Sequence, residues 1–232
     1  MIIKNYFGAK NGSGVYQNII NQIRPHDVYM ELFAGSGGIF LKKKPAYVAN
    51  ILNDIDSSVC STWQATDIDV SGYAFRNENA IDLLRSFQWQ SAFRYCVYLD
   101  PPYPLQSRRS NREVYRYEMT DGQHRELLEV VTGLPSNVDV LVSTYKNPIY
   151  DKMLKGWNHH TFNAQTRAGT AREYLYMNYE NETGELHQYD YLGTDYIDRQ
   201  RIKRKIDREV KKLLSLPASE RRAIIEAVSD LA

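Results

Sequence analysis

The stretch Tyr95-Cys-Val-Tyr-Leu-Asp100-Pro101-Pro102-Tyr103 runs an apolar segment directly into an acid, two prolines and an aromatic ring. The prolines fix φ and carry no N–H donor, so a stiff backbone aims their carbonyls. Asp100 adds a carboxylate acceptor, and Tyr103 adds a flat face. Together these parts can grip a planar ring that carries an amino group. The amine donates to Asp100 and to a backbone carbonyl while the ring stacks on Tyr103. A plain proline turn after a strand would need neither the acid nor the aromatic.

A second feature is Glu31-Leu-Phe33-Ala-Gly35-Ser-Gly37-Gly38. Small residues let the backbone pass close to a ligand and leave amide groups free for polar contacts. The strict dinucleotide fingerprint fails, because Phe40 stands where its third glycine belongs, and no Gly-Lys-Ser/Thr follows to make a phosphate loop. The loop is either a ligand cradle or a tight connection. Asp54, in Asn53-Asp54-Ile55-Asp56, lies seventeen residues after Gly37. An acid at the end of the second strand of an open α/β sheet can hydrogen-bond a ribose. The alternative is an N-cap for a helix starting near Ser57. Its pairing with the glycine loop favours the ribose.

Positioning these groups requires strands that end at them. Apolar runs predict strands over Val28–Phe33, Tyr47–Asn53, Tyr95–Asp100 and Val138–Thr144, with a weaker one over Tyr73–Arg76. Helices are predicted over Val15–Ile23, Ala80–Ser86, Gly122–Thr132 and Pro148–Leu154, with a helical stretch after the glycine loop. The alternation argues an α/β domain with a mostly parallel sheet. Trp157–Phe162 and Glu173–Tyr179 read as late strands, a hairpin closing one sheet edge. Loops are expected over Phe7–Gly14, Gly35–Gly38, Pro101–Asn111 and Asn163–Gly169.

Composition changes after about Tyr179, giving an expected division into residues 1–180 and a helical C-terminal extension, 181–232. Asp195–Leu216 reads as a charged helix, broken by Pro217 and followed by a second over Ser219–Leu231. Arg199 to Lys212 holds eight Lys/Arg against two Asp/Glu, a local +6. Ile202, Ile206, Val210 and Leu213 make one face apolar, so the tail reads either as a docked helix pair with a solvated basic face or as a DNA contact. The whole chain of 232 residues balances 29 Lys+Arg with 28 Asp+Glu, so any nucleic-acid contact must come from local patches. Two cysteines, Cys60 and Cys96, are too few for a four-thiolate metal site or a disulfide framework. A reducing, cytoplasmic compartment is expected, with no signal peptide, no spanning helix and no membrane partner. Eighteen tyrosines against seven phenylalanines supply flat hydrogen-bonding surfaces, one use of which is stacking on bases.

The residues resemble the Dam-like group of S-adenosylmethionine-dependent N6-adenine DNA methyltransferases. The matching pieces are Tyr6-Phe-Gly-Ala-Lys10, Ile23 to Gly37 with its Glu31-Leu-Phe-Ala-Gly-Ser-Gly core, Asn53-Asp54 and Leu99-Asp-Pro-Pro-Tyr103. Ser143-Thr-Tyr145, Ile149-Tyr150 and Glu173-Tyr-Leu-Tyr-Met-Asn178 look like the family's later strands. The resemblance covers about residues 1–180 and keeps four motifs in the family's order. It implies a Rossmann-like, seven-stranded methyltransferase fold and S-adenosyl-L-methionine as cofactor. It places Tyr6, Lys10, Glu31, Phe33, Gly35, Gly37, Asp54 and Asp100 around the cofactor, and Asp100, Pro101, Pro102 and Tyr103 at the reacting amine. Asn79 stands where an acid on the cofactor adenine is common, and Ala9 where a second glycine is. Only 43 residues, Ser57 to Leu99, separate the ribose and catalytic motifs, which leaves no room for the recognition domain of larger members.

DNA contact is therefore expected elsewhere. Arg108, Arg109, Arg112, Tyr115 and Tyr117 follow the Asp-Pro-Pro-Tyr motif, with Arg116 and Arg125 nearby, where arginine can pair with phosphate or guanine and tyrosine can stack. A solvated loop over the site is the alternative. Lys146 and Arg172 are further rim candidates, and His124 is assigned to a helix N-terminus. No His/Cys/Asp spacing suggests a metal. The expected activity is DNA methylation at adenine N6 of a flipped base, as in restriction–modification, by a monomer or homodimer. The rivals are RNA adenine or cytosine-N4 methylation, and a DNA-binding regulator without catalysis.

Overall fold

The computed structural model describes residues 7–66, 73–108, 113–166 and 169–230. The chain divides into two compact units between Tyr189 and Asp190, later than the expected boundary at 180/181. The segment after Tyr179 belongs to the first unit because it is tied there. Leu186 is buried, the His187 amide donates to the Ile23 carbonyl at 2.9 Å, and Gln188 Oε1 accepts the Lys44 amide at 2.5 Å.

The first unit is built on seven strands: β1 (Val28–Glu31), β2 (Ala49–Asn53), β3 (Tyr73–Arg76), β4 (Tyr95–Leu99), β5 (Val138–Tyr145), β6 (Asn158–Thr166) and β7 (Gly169–Met177). Their order across the sheet is β3-β2-β1-β4-β5-β7-β6. β1 to β5 run parallel, while β7 is antiparallel to β5 and β6 antiparallel to β7. This is a Rossmann-like α/β sheet closed on one side by a hairpin. The central strands β1 and β4 are buried at every residue, as strands covered on both faces must be. Helices α1 (Val15–Ile20), α2 (Ser57–Gln64), α3 (Ala80–Ser86), α4 (Asp121–Thr132) and α5 (Pro148–Met153) complete it. Met30, Leu32, Val97, Leu99, Val140 and Val142 from the sheet meet Leu127, Leu128 and Val131 of α4 in the main core. Trp63 of α2 centres a smaller cluster with Ala34, Leu52 and Val59.

Two expectations change, and one alternative falls away. The segment after the glycine loop forms successive turns rather than a regular helix, although the Leu41 and Lys43 amides donate to the carbonyls of Gly37 and Ile39. Asn163–Thr166 is not a loop: β6 pairs with β7 as far as Thr166 opposite Gly169, and Arg167 and Ala168 lie outside the described residues. Asp54 does not cap α2. The cap is Asp56, whose carboxylate accepts the Ser58 amide at 2.9 Å.

The sheet order reverses between β1 and β4, because β2 and β3 extend to one side and β5 to the other. The crevice beyond the C-terminal ends of strands at such a switch point is where open α/β sheets bind ligands.

The second unit holds α6 (Tyr196–Ser215) and α7 (Ala218–Ser229), separated at Pro217. Asp195 caps α6 by accepting the Asp198 amide at 2.8 Å. Within this unit Ile202 and Leu213 are half-buried, and Ile206 and Val210 are exposed. Among the described residues no helix is long and apolar enough to cross a membrane.

Candidate active site

A cavity of about 490 Å³ opens at the ends of β1, β2 and β4, lined by Glu31, Phe33, Gly35, Asp54, Asn79, Asp100 and Pro102 among others. The loop between β1 and the turns that follow is held in place from both sides. The Trp63 indole N–H donates to the Gly35 carbonyl at 2.9 Å. Gly35 and Gly37 have φ of 46° and 64°. A Cβ on Gly37 would lie 2.2 Å from the Trp63 ring, and one on Gly38 3.1 Å from the Lys10 backbone. Glycine is required at Gly37 both for its conformation and for space.

Asp54 fastens this loop to the end of β2. Its Oδ2 accepts the Gly35 amide at 2.8 Å, and its Oδ1 accepts the Asp56 amide at 2.9 Å. Each oxygen keeps a second lone pair for a ligand hydroxyl. Burial pushes the Asp54 carboxyl up, against the backbone amides that favour its charge. Glu31 is buried at the end of β1, where its Oε2 accepts the Tyr29 hydroxyl at 2.9 Å and the Phe40 amide at 3.0 Å. Burial raises its carboxyl to about 8. Asn79 caps α3 by accepting the Ile81 amide at 2.8 Å, and it faces the cavity. Five acids line the cavity, Glu31, Asp54, Asp56, Asp100 and Glu118, which suits a ligand that carries positive charge and hydroxyls.

Asp100 follows β4 directly and lies against Lys10, whose Nζ is 2.9 Å from its Oδ1. Burial raises the Asp100 carboxyl to about 6, with Lys10 opposing and Glu173 adding to the rise. Lys10 itself is buried, and the coulombic pull of Asp100 and Glu173 keeps its ammonium charged in spite of desolvation. Pro102 faces the cavity, while Pro101 is buried.

Tyr103 departs from expectation. It is only 8% exposed and presents no open stacking face. Its hydroxyl donates to Glu173 Oε2 at 3.1 Å, the Lys10 ammonium sits 4.9 Å from its ring centre, and Tyr145 packs edge-on at 4.6 Å. Glu173, in β7, was not singled out in the sequence, and its only signal is an acid opening an otherwise apolar strand stretch. Nothing in the sequence points to Trp63, and Tyr145 enters only as part of Ser143-Thr-Tyr145 in the resemblance. His124 lies in the first turns of α4, fully buried, with its Nδ1 3.0 Å from the Tyr150 hydroxyl. Burial lowers it to about 4, so the ring is neutral.

The expected DNA-reading residues separate. Arg108 is tied inward beside the cavity lining, its side chain 9% exposed, and is not an outward reader. It makes two bonds to Glu118, at 2.8 and 2.5 Å, and donates Nε–H to the Tyr103 carbonyl at 2.8 Å. Glu118 also accepts the Val114 and Tyr115 amides. Burial opposes its charge, yet these donors pull its carboxyl down to about 2. Tyr115 is half-buried and lines the cavity, with its hydroxyl 2.3 Å from where a Cβ on Gly8 would stand, so it belongs to the wall. Tyr117, Arg116, Lys146 and Arg172 are exposed. Lys146 and Arg172 flank the paired residues Tyr145 and Glu173 on the edge of the sheet that carries the site. Tyr6, Arg109 and Arg112 lie outside the described residues. Among the described residues no group of three His, Cys, Asp or Glu could hold a metal ion.

No family model matches the chain, and no curated protein does. Solved structures do resemble it. NodS, an N-methyltransferase from Bradyrhizobium japonicum, is 10% identical with a TM-score of 0.49, over 71% of this chain and 93% of that one. SMU.1697c from Streptococcus mutans, in complex with SAH, is 7% identical with a TM-score of 0.49, over 72% of this chain and 97% of that one. TrmN from Thermus thermophilus is 15% identical with a TM-score of 0.48, over 70% of this chain and 46% of that one.

Proposed function

We propose that this chain is an S-adenosylmethionine-dependent methyltransferase acting on the exocyclic amino group of adenine in DNA. The observation that carries the reading is Asp100: a half-buried carboxylate, its side chain 16% exposed, at the C-terminal end of β4, followed by two prolines, in the same cavity as the loop clamped by Asp54. The cavity fits the cofactor chemically. Asp54 offers acceptors to ribose hydroxyls, Phe33 an apolar wall, Asn79 and the Glu31 carboxyl polar groups, and Asp100 a negative charge for a sulfonium and an amine.

When bound, the cofactor would supply a methyl group on a positively charged sulfur to the adenine nitrogen, the N–C bond forming as the S–C bond breaks and the electron pair staying on sulfur. Asp100 and the Pro101 carbonyl accept the two N–H bonds and aim the nitrogen lone pair. An ordinary carboxylate is too weak a base to deprotonate a neutral amine beforehand. Asp100 therefore acts by orientation and by stabilising the positive charge that develops on nitrogen; the proton of the methylated, now strongly acidic nitrogen then passes to the Asp100 carboxylate and on to solvent. Because Tyr103 is covered, base entry requires Lys10 to move off its face, or the base is gripped at its edge alone.

A duplex base must be extruded to reach this cavity. Arg116, Tyr117, Lys146 and Arg172 around the site, and the basic face of α6, supply the contacts in this reading. Incubation with labelled cofactor and separate DNA and RNA pools, followed by mapping of methylated positions, tests it. Label in DNA at adenine N6 is expected. Label confined to RNA, or at cytosine N4, supports the rival substrates, and cofactor binding without transfer supports the regulator.

A further inference from the structure

Behind Asp100 lies a buried cluster that the chemistry above leaves unused. The Lys10 ammonium is 2.9 Å from Asp100 Oδ1 and 3.8 Å from Glu173 Oε2, and the Tyr103 hydroxyl donates to that same Glu173 oxygen at 3.1 Å. The side chains of Lys10 and Glu173 are 7% and 6% exposed. Two carboxylates thus share one ammonium in a place from which water is largely excluded.

The charge count has a consequence for the reaction. If Lys10 had Asp100 as its sole partner, the pair would be neutral, and an amine arriving at Asp100 would meet a carboxylate whose field was already cancelled. Glu173 changes the sum, because one cation with two anions leaves one negative charge. As the amine nitrogen becomes positive, cluster and nitrogen together reach neutrality. A favourable term that grows only as charge develops lowers the barrier to transfer more than it tightens ground-state binding.

From this balance we propose that Glu173 is a positioning residue for methyl transfer: it shares the Lys10 ammonium and so leaves the negative charge of Asp100 available to the developing cation. The proposal rests on the reading of Asp100 as the amine acceptor. Glu173 reaches the reacting atoms only through Lys10 and Tyr103. A purely structural role, holding the Tyr103 hydroxyl, is separable from this one, because the amide oxygen of Gln accepts that hydroxyl equally well.

Two measurements on the full-length protein test it. The first is turnover at saturating cofactor. Glu173→Gln should fold normally, bind the cofactor as before and lose about tenfold or more in kcat. Adding Lys10→Met to Glu173→Gln should recover part of that loss, since Asp100 again stands with an uncancelled charge. Near-normal kcat in Glu173→Gln, or a double variant no faster than Glu173→Gln, overturns the proposal. The second needs no substrate: the Asp100 carboxyl is followed by NMR as pH varies. Asp100 also faces Glu31, Tyr98, Tyr103 and Tyr115, but the two substitutions act on it in opposite senses. Glu173→Gln removes a like charge and should move its titration below about 6, and Lys10→Met should move it above. An Asp100 that titrates alike in all three proteins overturns the proposal. A wild-type protein that methylates no amine overturns the functional reading and the proposal with it, whereas an active wild type without the Lys10→Met recovery overturns the proposal alone.

Discussion

Asp100 must be ionised to hold a developing cation, yet burial raises its carboxyl to about 6. In the free enzyme, kcat/KM should therefore climb as pH rises toward about 6 and level off above it, because the protonated acid is the inactive form. A profile flat from pH 5 to 8 would detach the rate from this carboxyl. Asp54 has two roles at once, as acceptor for the Gly35 and Asp56 amides and as the acid facing the cavity. Asp54→Ala should weaken cofactor binding by about 1–3 kcal/mol, the scale of a lost hydrogen bond to a charged group. Calorimetry on the folded variant measures this, and unchanged affinity would leave Asp54 with the loop clamp only. At this scale the sequence was informative wherever chemistry is written in residue type. Asp100, Asp54, Glu31 and the glycines could be placed from their neighbours. Glu173 and Trp63 could not, because their importance comes from what the sheet brings beside them: Tyr145 pairs with Glu173 across β5 and β7, and α2 delivers Trp63 to Gly37.

Among the elements, the glycine loop is the one whose geometry is least tolerant. Gly37 sits at φ 64° with the Trp63 ring where a side chain would begin. Gly37→Ala should cost at least about 1–2 kcal/mol from the backbone conformation alone, before the clash is counted. It should lower the thermal midpoint and cofactor affinity together, which scanning calorimetry with and without cofactor would register. A variant with unchanged midpoint would mean that the loop rearranges freely. β3 and α3 were legible over their whole lengths, Tyr73–Arg76 and Ala80–Ser86, and Asn79 closes the start of α3 by accepting the Ile81 amide. Strand β1 reads two residues too long, since Leu32 and Phe33 are as apolar as the strand but turn with the loop. Asn163–Thr166 reads as a loop because its polar residues pair by backbone, which side-chain type does not show. Asp54 and Asp56 could not be told apart as caps, because both stand near the helix start and only the direction of their carboxylates separates them.

At the scale of the whole molecule the proposed activity requires a small chain to supply contacts to DNA. The net charge is +1, but α6 concentrates +6 between Arg199 and Lys212. Arg201, Arg208 and Lys212 already pair with Asp198 or Glu209 along the helix, which lowers their weight as phosphate contacts. Lys203, Arg204 and Lys205 form a run without such a pair among the described ion pairs. Replacing all three by Gln should leave cofactor affinity unchanged and weaken DNA binding. Each lost phosphate contact should flatten the log–log salt dependence by about 0.9. An unchanged slope would remove α6 from the DNA-binding surface and return it to a docking role. The measurement that bears most directly on the central claim compares wild type with Asp100→Ala on duplex DNA and labelled cofactor, with the products digested to nucleosides. Wild type should yield N6-methyladenine. Asp100→Ala, still folded and still binding cofactor, should be slower by about 10²–10³-fold, the loss seen when one preorganised charge-stabilising group is removed. Methyl transfer at a near-normal rate by Asp100→Ala, or a wild-type product other than a methylated amine, would contradict the account.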